Sequence, residues 1–385
     1  MSKSTLDHVA FALVCLGLFL RLAFLPVITI DMHAYLLWYN YIAQYGILQT
    51  LGDQSFGYNP PFIYLLSLAT LTRAVIPPVW AIKLIAISFD VVNAYLVYKI
   101  VQSISTDRRK PRLAALGFWV APTVLINSSI WGQTDALYVC FLLLCLLFVF
   151  KSRPTWAVIA FSLSIAIKAQ GIFLAPFLPV LLLKKNIPWH TYLLVPFVYV
   201  AAFLPALLSG RPIGTLLSTY AAQGETFSRP SMNAPNLYFF LPASAYQTSL
   251  LVGIPLACLA LVTWVLISGS KRHPPTKPFL MITALVSVSL TPFLLPKMHD
   301  RYFYPADVFS ILAGFSIPGL TLVPIIYQAI SLLSYLPYLV GADSAAVIPT
   351  AVFLNVVVLG SLLWKQWSLV PPIEVQSDEG KEAVS

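Results

Sequence analysis

The acidic residue Asp31 stands directly after the first long apolar run of the chain, residues 6–30. It opens an amphipathic stretch in which Tyr35 and Trp38 fall on one side of a helix. A carboxylate at this place could accept a proton from a hydroxyl group, as a general base does. It could also cap the helix that follows, because Asp is a favoured N-cap residue. The sequence leaves both roles open, and the two are compatible.

The richest cluster of ionisable groups is the segment 296–302, which reads Pro-Lys-Met-His-Asp-Arg-Tyr. Two cations in one short segment could offset the negative charge of a phosphate, and an arginine can do so with two parallel hydrogen bonds. An anchor at the membrane interface is the alternative, but an anchor needs no histidine and acid between the cations. The predicted contacts to a phosphate-bearing ligand are Lys297, His299, Arg301 and Tyr302.

Two shorter motifs lie between apolar runs. Residues 131–135 read Trp-Gly-Gln-Thr-Asp, which predicts either a turn with a tryptophan at the membrane interface or a site supported by Trp131, Gln133 and Asp135. Lys168 and Gln170 separate two segments that are each short for a membrane span. Lys168 could reach the interface with a long side chain, or it could hold a phosphate as a point charge. We favour the phosphate contact for this pair.

These motifs are embedded in a very apolar chain. Hydrophobic residues make up 59% of the sequence, charged residues make up 10%, and the mean hydropathy is +0.83. Such values predict an all-α, polytopic membrane protein. The net charge of +9 does not indicate nucleic acid, because the basic residues are spread between apolar segments. The four cysteines show no CxxC spacing, so neither a disulfide framework nor a zinc site is predicted.

Span lengths and helix breakers predict about twelve transmembrane helices with the N-terminus in the cytoplasm. The first apolar run is expected to remain as the first span, since it lacks a signal-peptide cleavage site. Residues 61–76 are expected to lie in the interface as part of a helical first outer loop, because a crossing there would move the basic residues 108–112 outside. The polar motifs then share the outer face. Residues 1–370 are predicted to form one domain, and residues 371–385 a disordered cytoplasmic tail.

Taken in order, these motifs resemble those of the GT-C glycosyltransferases, and most closely the bacterial relatives of the GPI-anchor second mannosyltransferase. The resemblance covers residues 1 to about 310 and rests on motif order and spacing. Its members in this chain are Asp31, the Tyr-Asn-Pro-Pro segment 58–61, Lys83 with Asp90, segments 131–135 and 168–170, the Asn-Ala-Pro-Asn-Leu-Tyr segment 233–238, and segment 296–302. Many relatives have a second acid where this chain has His33, and their usual His-Glu-Arg-Tyr reads His-Asp-Arg-Tyr here.

The resemblance implies an inverting transferase that moves a hexose, with mannose inherited from the family, from a polyprenyl-phosphate donor to an acceptor hydroxyl on the extracytoplasmic face. The acceptor would be a glycan, a glycolipid or a protein. Asp31 would be the base, the four residues of 296–302 together with Lys168 and Gln170 would bind the donor, and the supporting residues would be His33, Trp131, Gln133, Asp135 and Asn236. A monophosphate leaving group can be neutralised by these cations, so neither a metal nor another cofactor is expected.

Two other functions remain open at this stage. A transporter or flippase of a polyprenyl-linked sugar would also need intramembrane charges, although it should show repeats and broken helices in two corresponding halves. An oligosaccharide ligase or polymerase would depend on an outer Arg and His and not on Asp31. The lack of Asn-x-Ser/Thr sites in the outer loops favours a bacterial plasma membrane.

Overall fold

The computed structural model describes residues 3–54, 56, 58–225, 227–270 and 274–369, and this part of the chain is almost entirely helical. It confirms the prediction of an all-α protein rich in long apolar helices. The predicted cytoplasmic tail, residues 371–385, lies outside the described residues, as do Lys271 and Arg272.

The helices follow one another with short connections. In chain order they are α1 (Lys3–Phe24), α2 (Ile30–Tyr45), α3 (Ile47–Gly52), α4 (Pro60–Thr70), α5 (Pro78–Gln102), α6 (Lys110–Trp119), α7 (Pro122–Leu125), α8 (Asp135–Phe150), α9 (Pro154–Ile167), α10 (Phe177–Leu183), α11 (Leu194–Ala201), α12 (Leu204–Leu208), α13 (Ile213–Glu225), α14 (Tyr246–Thr248), α15 (Ile254–Ser270), α16 (Lys277–Leu294), α17 (Tyr304–Ser316), α18 (Val323–Val340) and α19 (Ser344–Ser368).

Shorter elements join these helices. The 3₁₀ turns are Ala169–Leu174, Trp189–Leu193, Leu237–Phe240, Ala243–Ala245 and Asp300–Phe303, and the wider π turns are Ile126–Trp131 and Ser249–Gly253. Two very short strands, β1 (Ser231–Met232) and β2 (Met298–His299), pair in parallel. This pair fixes the end of the loop after α13 against the segment that follows α16.

Six helices within the described residues are long and apolar enough to cross a membrane, or seven if the pair formed by α6 and the Pro122–Trp131 segment, bent by 44°, counts as one span. The prediction of about twelve crossings is therefore wrong. Helices do form at the predicted positions, but several are short: Asp135–Phe150 has 16 residues and Pro154–Ile167 has 14. A straight crossing needs about 20 residues.

The predicted interfacial segment 61–76 contains one helix, Pro60–Thr70, of 11 residues. Its length is about half of what a transmembrane helix needs. Phe62, Ile63 and Leu66 are buried in the main hydrophobic core, whereas Leu68 and Leu71 are exposed. The segment is therefore a short helix with one face packed on the protein.

A buried ion pair ties the first helix to the bundle. The Arg21 guanidinium donates to the Asp90 carboxylate at 3.0 Å and to the backbone carbonyls of Gly17 and Trp119, and both charged side chains are fully buried. The arginine also lies over the ring of Trp119, 3.7 Å from its centroid. Removing one partner of such a pair would leave an uncompensated buried charge, which is strongly destabilising. Asp90 therefore pairs with Arg21, and not with Lys83.

Candidate functional site

Asp31 lies in the first turn of α2, but it does not cap the helix. The N-cap position is occupied by Thr29, whose side chain makes no capping hydrogen bond. The Asp31 Oδ2 atom instead accepts hydrogen bonds from the Trp131 indole, at 2.9 Å, and from the Gln133 amide. About 31% of the Asp31 side chain is exposed. The capping alternative is thus wrong, and the carboxylate is directed toward the motif 131–135.

The two donors are themselves held in place. Gln133 is fully buried and its Oε1 accepts a hydrogen bond from the Tyr35 hydroxyl at 3.2 Å. The Trp131 ring is fully buried and stacks on Tyr338 at a centroid distance of 4.5 Å. Trp131 is therefore not an interfacial anchor, because an anchor would sit at the boundary between lipid and water.

A sharp backbone turn brings these donors to Asp31. The π turn Ile126–Trp131 ends at Gly132, whose φ of 74° lies in the left-handed region. A Cβ atom at this position would lie 2.2 Å from the terminal carbon of Met32. The backbone angle therefore favours glycine, and the end of the Met32 side chain would have to shift to admit a larger residue.

Arg301 is the cation closest to Asp31. Its Nη1 lies 3.5 Å from Asp31 Oδ2 and 3.9 Å from Asp300 Oδ1, and its Nε lies 3.9 Å from Asp135 Oδ2. Burial acts to lower the pKa of Arg301, but Asp135, Asp300 and Asp31 together outweigh burial and raise it. The guanidinium therefore stays charged and joins three carboxylates that are distant in the sequence.

Asp135 forms the second half of this network. It is buried, and it accepts hydrogen bonds from the Lys168 ammonium and from Asn127 Nδ2, the latter at 2.8 Å. Burial acts to lower the pKa of Lys168, but the contact with Asp135 outweighs it and raises the pKa. Lys168 is itself buried, so its side chain does not reach out to an interface. Its expected phosphate contact remains a prediction.

The histidine of segment 296–302 packs against two aromatic rings. The His299 ring packs between Tyr302 and Phe227, with ring-centroid distances of 5.1 and 5.2 Å. Burial, together with Arg301 and Lys168, lowers the pKa of His299 to about 3. The imidazole is therefore neutral at physiological pH, and it can serve as a hydrogen-bonding group but not as a cation.

Lys297, near the other end of segment 296–302, contacts neutral oxygen atoms. Its ammonium donates to the Gly224 carbonyl and to the Tyr246 hydroxyl, the latter at 2.5 Å, and it lies 4.8 Å from the centre of the Tyr246 ring. Its backbone is held by a hydrogen bond from its N–H to the Pro230 carbonyl at 2.7 Å and adopts a φ of 64°. Lys297 is therefore not part of the Arg301 network.

Two adjacent cavities lie beside these groups and share six lining residues: Gln170, Tyr220, Gln223, Phe227, His299 and Tyr302. The first has a volume of about 210 Å³ and is lined by Tyr58, Asn59, Ile167, Lys168, Gln170, Tyr220, Gln223, Phe227, His299, Arg301 and Tyr302. The second has a volume of about 240 Å³ and extends past Phe173 and Leu295 to Lys297. One compartment thus holds the Lys168 and Arg301 cations, and the other holds the Lys297 cation.

The structure therefore brings most of the predicted residues together, either in the Arg301 network or around the two cavities, with two exceptions. His33 is exposed, whereas Met32 beside it is fully buried. Asn236 is buried and donates to the carbonyls of Pro292 and Leu295, so it supports the segment before Lys297 and does not line either cavity.

Sequence reasoning missed several lining residues. Tyr58 stood in a recognised motif without a role, and its hydroxyl lies 2.8 Å from Thr134 Oγ1. Tyr220, Gln223 and Phe227 come from a long loop and helix that carry no motif, so only the tertiary structure reveals them. Within the residues that the structure describes, no group of three or more His, Cys, Asp or Glu side chains is placed to hold a metal ion.

The chain matches no known family profile, and no characterised protein is significantly similar to it in sequence.

Proposed function

We propose that the protein is an inverting glycosyltransferase of the GT-C type that moves a hexose from a polyprenyl-phosphate donor to an acceptor hydroxyl. The observation that carries this proposal is the placement of Asp31. All of the contacts to its carboxylate described above are made by Oδ2, which is held by Trp131, Gln133 and Arg301. The other carboxylate oxygen, Oδ1, is then the oxygen that takes the proton from the acceptor hydroxyl.

The charge balance of the network supports this chemistry. Three carboxylates, those of Asp31, Asp135 and Asp300, face the two cations Lys168 and Arg301. Glycosyl transfer passes through an oxocarbenium-like transition state that carries positive charge on the sugar. An excess of carboxylate beside the first cavity favours that charge, because oriented ionic groups stabilise charge that develops in the transition state.

The departing phosphate needs a cation that is not already held by carboxylates. Arg301 and Lys168 both contact carboxylates, whereas the described contacts of Lys297 are to the neutral oxygens of Gly224 and Tyr246. We therefore assign the principal phosphate contact to Lys297 in the second cavity. Arg301 lines the first cavity and mainly orients Asp31.

The same arrangement supports a lipid-linked donor. The site lies at one end of α5, a helix of 25 residues that is long enough to cross a membrane. A lipid-linked donor can approach such a site from the membrane, with its headgroup at the cavities. We place this end on the extracytoplasmic side of a bacterial plasma membrane, with mannose as the first sugar to test and a glycan, glycolipid or protein as the acceptor.

The test is a donor-cleavage assay on the full-length protein in lipid nanodiscs. A panel of radiolabelled polyprenyl-phosphate hexoses is supplied with membrane extract as the source of acceptor, and release of polyprenyl phosphate is measured. We expect cleavage of at least one donor by the wild type and strongly reduced cleavage by Asp31→Asn. A folded wild type that cleaves no donor in the panel overturns the proposal. Movement of intact donor across vesicles, without cleavage, supports the transporter alternative.

A further inference from the structure

Lys83 is a fully buried lysine with an unusual set of partners. Its ammonium donates to three backbone carbonyls: Phe24 at 2.9 Å, Val27 at 2.7 Å and Ser129 at 2.6 Å. An ammonium has three N–H donors, so these contacts satisfy it completely. A buried charge is tolerated only when it is paired or fully hydrogen-bonded.

The three carbonyls belong to two segments that meet at the site. Phe24 is the last residue of α1, Val27 lies in the turn between α1 and α2, and Asp31 follows Val27 by four residues. Ser129 lies in the π turn that ends at Trp131. The ammonium thus joins the backbone that carries the carboxylate to the backbone that carries its two hydrogen-bond donors.

Two neighbouring contacts also link these two segments. The Thr29 hydroxyl donates to the Trp131 carbonyl at 3.1 Å, which links the same two segments close to Asp31. The methylene groups of the Lys83 side chain lie against Gly132, where an added Cβ would come within 3.3 Å of Lys83 Cγ. The methylene groups of Lys83 therefore pack against the turn at Gly132, and its ammonium binds the backbone of both segments.

We propose that Lys83 is a positioning residue that sets the placement of Asp31 relative to Trp131 and Gln133. This inference rests on the proposed function, because the role of Asp31 as base is itself a proposal. A displacement of about 1 Å at a reacting group can lower a rate by about 100-fold. Loss of the ammonium would leave three carbonyls unpaired and free the two segments to separate.

The test compares Lys83→Met with a matched control in the full-length protein. Met retains much of the side-chain volume and removes the donors. The control is Lys277→Met, which removes a lysine ammonium that donates to the Ser103 backbone carbonyl, at the opposite end of α5 from Lys83. We expect Lys83→Met to lower kcat by about 10- to 100-fold with little change in the donor KM, and the control to retain the kcat of the wild type per folded molecule.

A second readout does not depend on activity. Hydrogen exchange should become faster in peptides covering residues 25–34 and 128–135 of Lys83→Met, and it should stay unchanged there in the control. In the Asp31→Asn background, adding Lys83→Met should lower kcat no further, since the group that it positions is already gone. A merely structural lysine would instead reduce folded yield and leave the kcat of the folded fraction intact.

The outcomes separate this inference from the proposed function. If the wild type shows no turnover but hydrogen exchange still becomes faster in both segments of Lys83→Met, the proposed function is wrong. The role of Lys83 in holding the two segments together is then confirmed. If the wild type is active and Lys83→Met keeps its kcat, or if exchange is unchanged, the positioning role is wrong. Should Lys83→Met fail to fold, Thr29→Val removes the hydroxyl contact that links the same two segments. Wild-type kcat and exchange in that variant would also overturn the proposal.

Discussion

Replacing Asp31 by Asn is the sharpest test of the site. The amide keeps the size of the carboxylate, and its oxygen can still accept the hydrogen bonds from Trp131 and Gln133. What it loses is one negative charge 3.5 Å from Arg301 and the ability to take up a proton. Because Arg301 retains Asp135 and Asp300, and because Asp31 is partly exposed, the loss of folding stability should be about 1 kcal/mol or less.

The effect on turnover should be much larger. Loss of a general base lowers a rate by about 10²–10⁴-fold, which corresponds to roughly 2.7–5.4 kcal/mol in the activation barrier. Donor binding should survive, because the proposed phosphate contact lies at Lys297. We would measure the melting temperature, donor binding and donor cleavage on the same preparations. The matched control is Asp343→Asn, at an exposed N-cap, where Asn can still accept the hydrogen bond from the Ala345 N–H. A well-folded Asp31→Asn protein that cleaves donor at the wild-type rate would refute the reasoning.

Lys297→Met should raise the donor KM by about tenfold, because it removes one charge-assisted contact worth about 1.5 kcal/mol. Lys297→Arg should restore much of the donor binding. Turnover measured over a range of donor concentrations checks both variants, and an unchanged KM in Lys297→Met would contradict the assignment. Arg301→Lys keeps the charge but loses the planar fork, so kcat should fall with the fold intact, and normal kcat would show that the fork is not needed. Burial lowers the pKa of His299 to about 3 from 6.5, so that at acidic pH the unfolded chain takes up a proton that the folded protein does not. The free energy of unfolding should therefore fall as the pH drops below 6.5, by up to about 1.4 kcal/mol per pH unit. His299→Gln removes this contribution, and its melting temperature should fall less steeply than that of the wild type between pH 7 and pH 5; parallel slopes would contradict the shift. In a cysteine-free background, Thr106→Cys and Ser244→Cys should be labelled from opposite sides of the membrane, because α5 separates the loop after it from the site; labelling from one side would refute this orientation.

The fold class was predictable from the sequence because long apolar runs can form only helices in a membrane, where every backbone polar group must be bonded internally. The helix positions also followed from apolar runs and their breakers. The number of crossings did not follow, because a run such as 155–168 is apolar enough for a span but forms a helix of only 14 residues before Lys168. Composition reports how apolar a segment is, and not whether its helix continues through the bilayer.

For the candidate site, the sequence likewise predicted the residues but not the contacts between them. Asp31, Gln133, Asp135 and Arg301 could be identified because polar groups are costly in an apolar chain and therefore stand out. Their pairing could not, since the contacts from Arg301 to Asp31 and Asp135 join residues that lie on different helices.

By itself, the sequence determined which residues are able to do chemistry, because residue type, charge and position in an apolar run are local properties. Only the tertiary structure decided which partner each of these residues contacts. Asp31 accepts from Trp131 and does not cap its helix, and Asp90 pairs with Arg21, because helix packing determines which buried groups meet. Lys83 binds three carbonyls, because helix packing places α5 against two backbone turns.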